Sequence, residues 1–169
     1  MKTINLIFPN QLFKESVHLD DTSSHYLIEE KLFFNHFNFH KQKLYFHRCS
    51  MKNYYDFLNQ KKLDINYINS FEEKSDIRKF IDGLNPNEIN KIKCIDPEDN
   101  WLEKRLKKAC EKKGIQVQLF ENPLFINSKK ELEPFFREDK KKLFQTSFYK
   151  SERNRLGILL DGNNNIYTF

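Results

Sequence analysis

The segment Thr3–Pro9, with the sequence TINLIFP, decides the fold. It is a short apolar run that is stopped by a proline, which is typical of a buried strand. The run is too short for the apolar region of a signal peptide, and no small-residue cleavage site follows it. The sequence therefore predicts a first strand that lies inside a sheet.

Four further strands follow this segment and alternate with helices. Apolar or alternating runs predict strands at His25–Glu29, Asp64–Asn69, Lys91–Ile95 and Gln116–Phe120. Helical periodicity predicts helices at Lys41–Lys61, Phe71–Leu84, Asp99–Lys113 and Lys129–Glu138, while residues 140–160 should be helical or irregular. Strands that alternate with helices form βαβ units. The predicted fold is α/β, a Rossmann-like three-layer sandwich with a mainly parallel five-stranded sheet.

The helix ends carry residues typical of caps. Gly83 and Gly114 lie near the ends of two predicted helices, where a left-handed cap residue is often needed. Asp96 or Asp99 is expected to cap the start of the helix at residues 99–113. In the helix at residues 41–61, Arg48 interrupts an otherwise apolar stripe.

Length and composition indicate one domain spanning residues 1–169. Hydrophobic residues make up 38% of the chain, and 17 phenylalanines supply core volume. We expect a core at about residues 3–125 and a C-terminal helical segment at 129–160. The charged run Arg137–Lys142 is either a boundary or a solvated surface turn. No apolar run reaches the roughly 18–20 residues of a membrane span, so no membrane partner is expected.

Several kinds of site are excluded by missing motifs. The four glycines all lie far from the first strand, which excludes a standard dinucleotide fingerprint and a P-loop. No hydrolase, zinc-protease or CxxC motif occurs, so neither catalytic residues nor metal ligands are predicted. His36 and His40 are four residues apart and could share a helix face, but no third ligand is in view. Three widely spaced cysteines favour reduced thiols and a cytoplasmic protein.

Polar residues gather where the predicted strands end. Ligands of open parallel sheets bind beyond the carboxyl ends of the strands. Asn10, Gln11 and Glu29 suit the polar edge of a flat heterocycle there, and Phe8 and Ile28 suit its face. The alternative is that such residues only cap turns and helices.

A basic and aromatic stretch near the C-terminus gives a second candidate site. The net charge is +5 with a pI of about 9.0, which permits contact with nucleic acid without requiring it. Lys141, Lys142, Arg153 and Arg155 are interleaved with aromatic residues. Such mixtures can bind phosphates and stack bases. The alternative is a terminal helix that packs by its aromatic residues while its cations face water.

The order of several motifs resembles that of the deoxyribodipyrimidine photolyase-related proteins, in the cryptochrome/photolyase family. The resemblance includes the branch of bacterial (6-4) photolyases with an iron–sulfur cluster. It spans roughly residues 4–162 and rests on LIFPNQLF at Leu6–Phe13, FHKQKL at Phe39–Leu44, HRCSMK at His47–Lys52 with Tyr54 and Tyr55, Asp96-Pro97, Asn122-Pro123 with Phe125, and Phe148-Tyr149 with Arg153 and Arg155.

This resemblance implies an antenna-type domain of a light-driven DNA repair or photoreceptor flavoprotein. In the family, such a domain can hold 6,7-dimethyl-8-ribityllumazine or another antenna chromophore. FAD, a 4Fe–4S cluster and most DNA contacts belong to a helical domain that we expect to be absent from this chain. The parent family is DNA photolyase, a lyase, but this chain alone is not expected to be catalytic.

The resemblance also carries site residues onto this chain by position. The first-loop residues Asn10 and Gln11, together with Ile28 and Glu29, would line the chromophore pocket. The segment after the second strand contributes an acidic residue and a tyrosine in lumazine binders, and those places hold Phe33 and His36 here. The alternatives are a standalone nucleotide- or nucleic-acid-binding α/β module and a scaffold with an empty pocket. The oligomeric state is not predicted.

Overall fold

The computed structural model describes residues 2–137 and 139–161. Five strands form one parallel sheet in the order β3-β2-β1-β4-β5. The strands are β1 (Lys2–Ile7), β2 (Ser24–Ile28), β3 (Ile65–Ile68), β4 (Ile89–Ile95) and β5 (Gln116–Phe120). The predicted α/β fold with a five-stranded parallel sheet is confirmed, and its strand positions agree to within about two residues.

The helices follow the predicted periodicity less closely than the strands do. They are α1 (Lys31–Phe34), α2 (Lys41–Gln60), α3 (Ile77–Asp82), α4 (Asn100–Lys113), α5 (Lys129–Leu132) and α6 (Gln145–Leu156). The short helix α1 was not predicted. The helix expected at residues 71–84 is reduced to a 3-10 turn at Glu73–Ser75 and to α3. The helix expected at residues 129–138 ends at Leu132, and residues 133–137 lie outside any helix.

The sheet separates two apolar layers, which makes the three-layer sandwich. On one face, Ile77 and Phe80 of α3 and Leu102 and Leu106 of α4 join a core with Leu6 and Ile92. On the other face, Met51 and Leu58 of α2 join a core with Ile7 and Leu27. Successive side chains of a strand point to opposite faces, so the apolar run of β1 supplies both cores.

The caps were predicted correctly at one helix and incorrectly at another. Gly114 ends α4 in the left-handed conformation, with φ of 68°. The expectation for Gly83 is wrong, because this residue ends α3 with φ of −77°, which any residue adopts. Of the two aspartates considered, Asp99 caps α4 by accepting a hydrogen bond from the Leu102 amide at 2.8 Å. Asp96 accepts from the Glu98 amide in the loop before it.

The buried cysteines belong to the core of the α3 and α4 face. Cys94 and Cys110 are fully covered, and Cys49 is exposed. Burial raises the pKa of the Cys110 thiol to about 12, which keeps this thiol protonated and unreactive at neutral pH. No helix within the described part of the chain combines the length and apolar character that a bilayer span requires.

The chain divides into two compact units at Pro123 and Leu124. The prediction of one domain, with a core at about residues 3–125 and a helical segment at 129–160, stays a prediction. The second unit contains a capping box at Ser128 and Glu131 that starts α5. Glu138 and residues 162–169, which the sequence assigned to the domain, lie outside the described residues.

Candidate functional site

The loop after β1 is tied to the loop after β4 by two predicted site residues. The Gln11 amide nitrogen donates to the carbonyl oxygens of Ile95 and Asp96 at 2.9 and 3.2 Å. The Asn10 amide nitrogen donates to the Pro97 carbonyl at 3.2 Å. The Asn10 side-chain oxygen is buried and has no hydrogen-bond partner in the described structure. These two amides hold together the loops that follow β1 and β4, at the carboxyl ends of the strands, which we call the carboxyl edge of the sheet. An open sheet of this order binds its ligands at this edge, at the boundary between β1 and β4.

Phe8 and Ile28, which were predicted to cover the face of a ring, are both fully buried. Their side chains belong to the core that also contains α3 and α4. Gln11 is buried as well, and its side-chain oxygen accepts a hydrogen bond from the Phe8 amide. Phe8, Ile28 and Gln11 are therefore packed or hydrogen-bonded within the protein. Their role as chromophore contacts stays a prediction.

Glu29 lies at the same edge, and its carboxylate is occupied by partners from within the chain. Arg48 donates through Nε and Nη2 to its two oxygens at 2.8 and 2.7 Å. The Tyr67 hydroxyl and the Ser70 amide complete the set at 2.7 and 2.9 Å. Burial disfavours the charge, but the hydrogen bonds outweigh burial and lower the pKa of Glu29 to about 2.

Arg48 is a neighbour of Glu29 that was not among the predicted site residues. Its guanidinium lies 4.9 Å from the ring centre of Phe71 and 5.7 Å from that of Phe34. The bidentate pair with Glu29 connects α2 to the end of β2, and the contact with Ser70 extends it to the loop after β3. The sequence did contain a signal for this pair, because Arg48 stands within an apolar helical stripe. A cation in such a stripe needs a carboxylate partner.

Glu30 is the next residue along the chain, and its surroundings are different. It caps α1 by accepting from the Leu32 amide, and it also accepts from the Ile77 amide at 3.4 Å, at the start of α3. No cation hydrogen-bonds to it within the described residues. Burial raises the pKa of Glu30 to about 7, because the two backbone donors only partly offset the loss of hydration.

Phe33 and His36 lie on the segment that leaves β2. Phe33 is partly buried and packs against both apolar cores. The His36 ring meets Phe37 and Trp101 edge-on, with centroids 4.4 and 5.4 Å apart. His36 lies in the loop before α2 and His40 caps that helix, so the expectation that they share a helix face is wrong.

These contacts form a row of rings that we call the aromatic rim: His36 and Phe39, which are partly buried, and Phe37 and Trp101, which are exposed. Phe37 contacts Phe39 edge-on at 5.9 Å, and Phe37 and Trp101 are 60% and 51% exposed. The rim lies at the carboxyl edge, because residues 35–40 follow β2 and Trp101 is the second residue of α4. Exposed aromatic faces at this edge are suited to a flat ring.

A groove of about 700 Å³ begins at Trp101 and His36 and runs between α3 and α4. We call it the basic groove, because Asp82 is the single carboxylate among its lining residues, against six cations: Arg78, Lys79, Lys104, Arg105, Lys108 and Lys112. This groove was not predicted from the sequence. The spacing of the lysines on α4 was visible in the sequence, but their position opposite α3 was not.

The predicted nucleic-acid residues near the C-terminus differ in their surroundings. Lys141 and Lys142 are exposed. Arg155 is paired with Glu131 and Glu152 at 3.0 and 2.8 Å. Arg153 is 8% exposed and lies over the Tyr149 ring. Two of the four cations are therefore presented to solvent without a carboxylate partner in the described residues.

Comparison with known proteins identifies the family. A family model described as deoxyribodipyrimidine photo-lyase-related protein matches residues 5–166. An uncharacterized protein of Acanthamoeba polyphaga mimivirus is 33% identical, over 96% of this chain and 87% of that protein. Both matches extend over nearly the whole chain and include both of its units. The chain therefore belongs to the family of deoxyribodipyrimidine photolyase-related proteins.

Proposed function

We propose that this chain is the antenna-type domain of a photolyase-related flavoprotein and holds a flat chromophore at the aromatic rim. The observation that carries the proposal is the row of rings at the carboxyl edge of a parallel sheet, in which Phe37 and Trp101 are exposed. Family membership supports it. The parent protein would be a light-driven DNA repair enzyme or photoreceptor, with the iron–sulfur (6-4) photolyases as the branch suggested by sequence.

The Asn10 side-chain oxygen gives independent support for a ligand at this edge. It is a buried acceptor without a donor among the described residues, and its own amide nitrogen is held by Pro97. Buried acceptors of this kind are costly unless a donor meets them. A ring N–H, such as that of 6,7-dimethyl-8-ribityllumazine, would supply the donor. Pro97 lies four residues before Trp101, so the same loop positions both groups.

In this proposal the protein positions a chromophore and performs no bond chemistry. The bound ring would absorb light and pass the energy on, which requires a fixed orientation and exclusion of water. Trp101 and Phe37 would cover the ring face, and Asn10 would fix its polar edge. FAD, a 4Fe–4S cluster and most DNA contacts would belong to the helical domain of such a flavoprotein.

A titration with two chromophores tests the proposal. We expect 6,7-dimethyl-8-ribityllumazine or riboflavin to bind the purified chain, with a rise in the fluorescence polarisation of the ligand. Trp101→Ala should weaken binding about tenfold, because one stacking contact is lost. Phe46→Ala is the control, since Phe46 is 70% exposed but lies outside the rim. Failure of both ligands to bind at high micromolar concentration would contradict the chromophore role.

A further inference from the structure

The basic groove holds several cations that the described chain does not neutralise. Arg78 is paired with Asp76 at 2.6 Å, and Lys107, on another side of α4, is paired with Glu103. By contrast, the four groove lysines, Lys79, Lys104, Lys108 and Lys112, form no ion pair within residues 2–137 and 139–161. Like charges collected in one groove repel each other, and this repulsion is relieved when an anion binds.

Three of these lysines are evenly spaced along one helix. Lys104, Lys108 and Lys112 are four residues apart, and α-helical geometry separates successive members by about 6 Å along the axis. Residues four apart lie on one side of a helix. The three ammonium groups therefore form a line that can meet successive negative charges of an extended polyanion.

An aromatic platform stands at one end of this line. Trp101 precedes Lys104 by three residues, which places it on the same side of α4, and its indole is 51% exposed. Binding sites for single-stranded nucleic acid combine a cationic groove that follows the phosphates with aromatic rings that stack on the bases. An acidic peptide would use the cations but would leave the indole without a partner.

The wall of the groove also contains an unsatisfied donor. Arg105 lines the groove, and its Nη1 is buried without a hydrogen-bond partner in the described residues. A buried guanidinium nitrogen without an acceptor is unfavourable. A phosphate oxygen in the groove would provide the acceptor.

We infer that the basic groove binds a single strand of nucleic acid. Phosphates lie along Lys104, Lys108 and Lys112, and one base stacks on Trp101. A concave site between two helices fits one strand, whereas the bases of a duplex are stacked inside and out of reach of the indole. The inference does not rest on the proposed chromophore, but both ligands use the Trp101 indole, so they would compete for it.

Fluorescence polarisation with a labelled single strand of about 12 nucleotides tests the inference on the full chain. Lys108→Gln with Lys112→Gln should weaken binding about tenfold and reduce the slope of log affinity against log salt by about 1.4, which is the loss of two phosphate contacts. Lys14→Gln with Lys62→Gln is the matched control, since it removes two exposed cations that lie outside the groove and form no ion pair among the described residues. This control should change affinity less than twofold.

Three results would overturn the inference. They are equal weakening by the two double variants, affinity independent of salt, and equally tight binding of polyglutamate. Chromophore binding should be unchanged in the variant at Lys108 and Lys112. If the original chain binds the single strand but does not bind lumazine, the result counts against the proposed function and leaves this inference standing.

Discussion

Two neighbouring carboxylates at the carboxyl edge, one toward each side of the sheet, have pKa values shifted in opposite directions. Glu29 and Glu30 are both fully buried, yet the pKa of Glu29 is lowered to about 2 and that of Glu30 is raised to about 7. Glu29 is hydrogen-bonded by Arg48 of α2, on one side of the sheet. Glu30 lies toward α3 and is bonded by backbone amides alone. Burial raises the pKa of both groups, and the side-chain donors Arg48 and Tyr67 reverse that effect at Glu29, whereas Glu30 has no side-chain donor among the described residues.

The cations on these two sides of the sheet also differ in whether they have a partner. Arg48 is committed to Glu29, whereas the lysines of the basic groove have no carboxylate partner in the described structure. Removing one partner of a buried pair destabilises the protein, because the other charge is left buried without compensation. A charge without a partner contributes little to stability and remains available to a ligand.

Breaking the Arg48–Glu29 pair should have the largest effect. Arg48→Met leaves the buried Glu29 carboxylate without its cation and should lower the free energy of unfolding by about 3 kcal/mol. Urea unfolding at pH 7 measures this loss. Arg137→Met is the control, because both side chains of its pair with Asp139 are more than half exposed, at 55% and 70%, and it should cost under about 1 kcal/mol. If both variants lower the free energy of unfolding by a similar amount, the Arg48–Glu29 pair is no more important to stability than an exposed pair.

The pH dependence of stability should separate Glu29 from Glu30. The raised pKa of Glu30 means that the folded state binds more protons between pH 4.5 and pH 7, so this group's contribution falls as the pH rises through that range. Glu30→Gln removes the titration while keeping an acceptor for the Leu32 amide. The free energy of unfolding of the variant, minus that of the original chain, should increase by about 2–3 kcal/mol from pH 5 to pH 8. Urea unfolding of both proteins at the two pH values checks this, and a constant difference would contradict it.

The smallest effect is expected in the basic groove. Lys108→Gln with Lys112→Gln removes repulsion and no ion pair, so the free energy of unfolding should change by less than about 0.5 kcal/mol or rise slightly. Thermal unfolding at low salt measures it. A clear loss of stability would mean that these lysines, like Arg48, have a structural role.

The sequence predicted the sheet well because strand signals are local. An apolar run such as Thr3–Pro9 and an alternating run such as Asp64–Asn69 report burial directly. The helix expected at residues 71–84 failed because the apolar pattern there continues through a turn, and Asp76 caps a shorter helix. Gly83 was misjudged because a glycine near a helix end does not by itself require a positive φ.

The candidate site could be predicted only in part. Residues at the carboxyl ends of strands were expected to meet, and Asn10 and Gln11 do lie at the junction with the β4 loop. Their bonds to backbone carbonyls could not be read from the sequence, because the accepting residues are more than eighty positions away. Arg48 carried a signal, since a cation stood in an apolar stripe, but its partner could not be named.

By itself, the sequence determined the order of strands and helices, the α/β class and the resemblance to the photolyase-related family. These features depend on local periodicity and on motif order, which are properties of neighbouring residues. Only the tertiary structure decided that Glu29 is paired while Glu30 is not, that His36 meets Trp101, and that Arg78 faces the lysines of α4. Those facts depend on the side of the sheet to which each element crosses, and a parallel sheet brings together residues that are far apart in the chain.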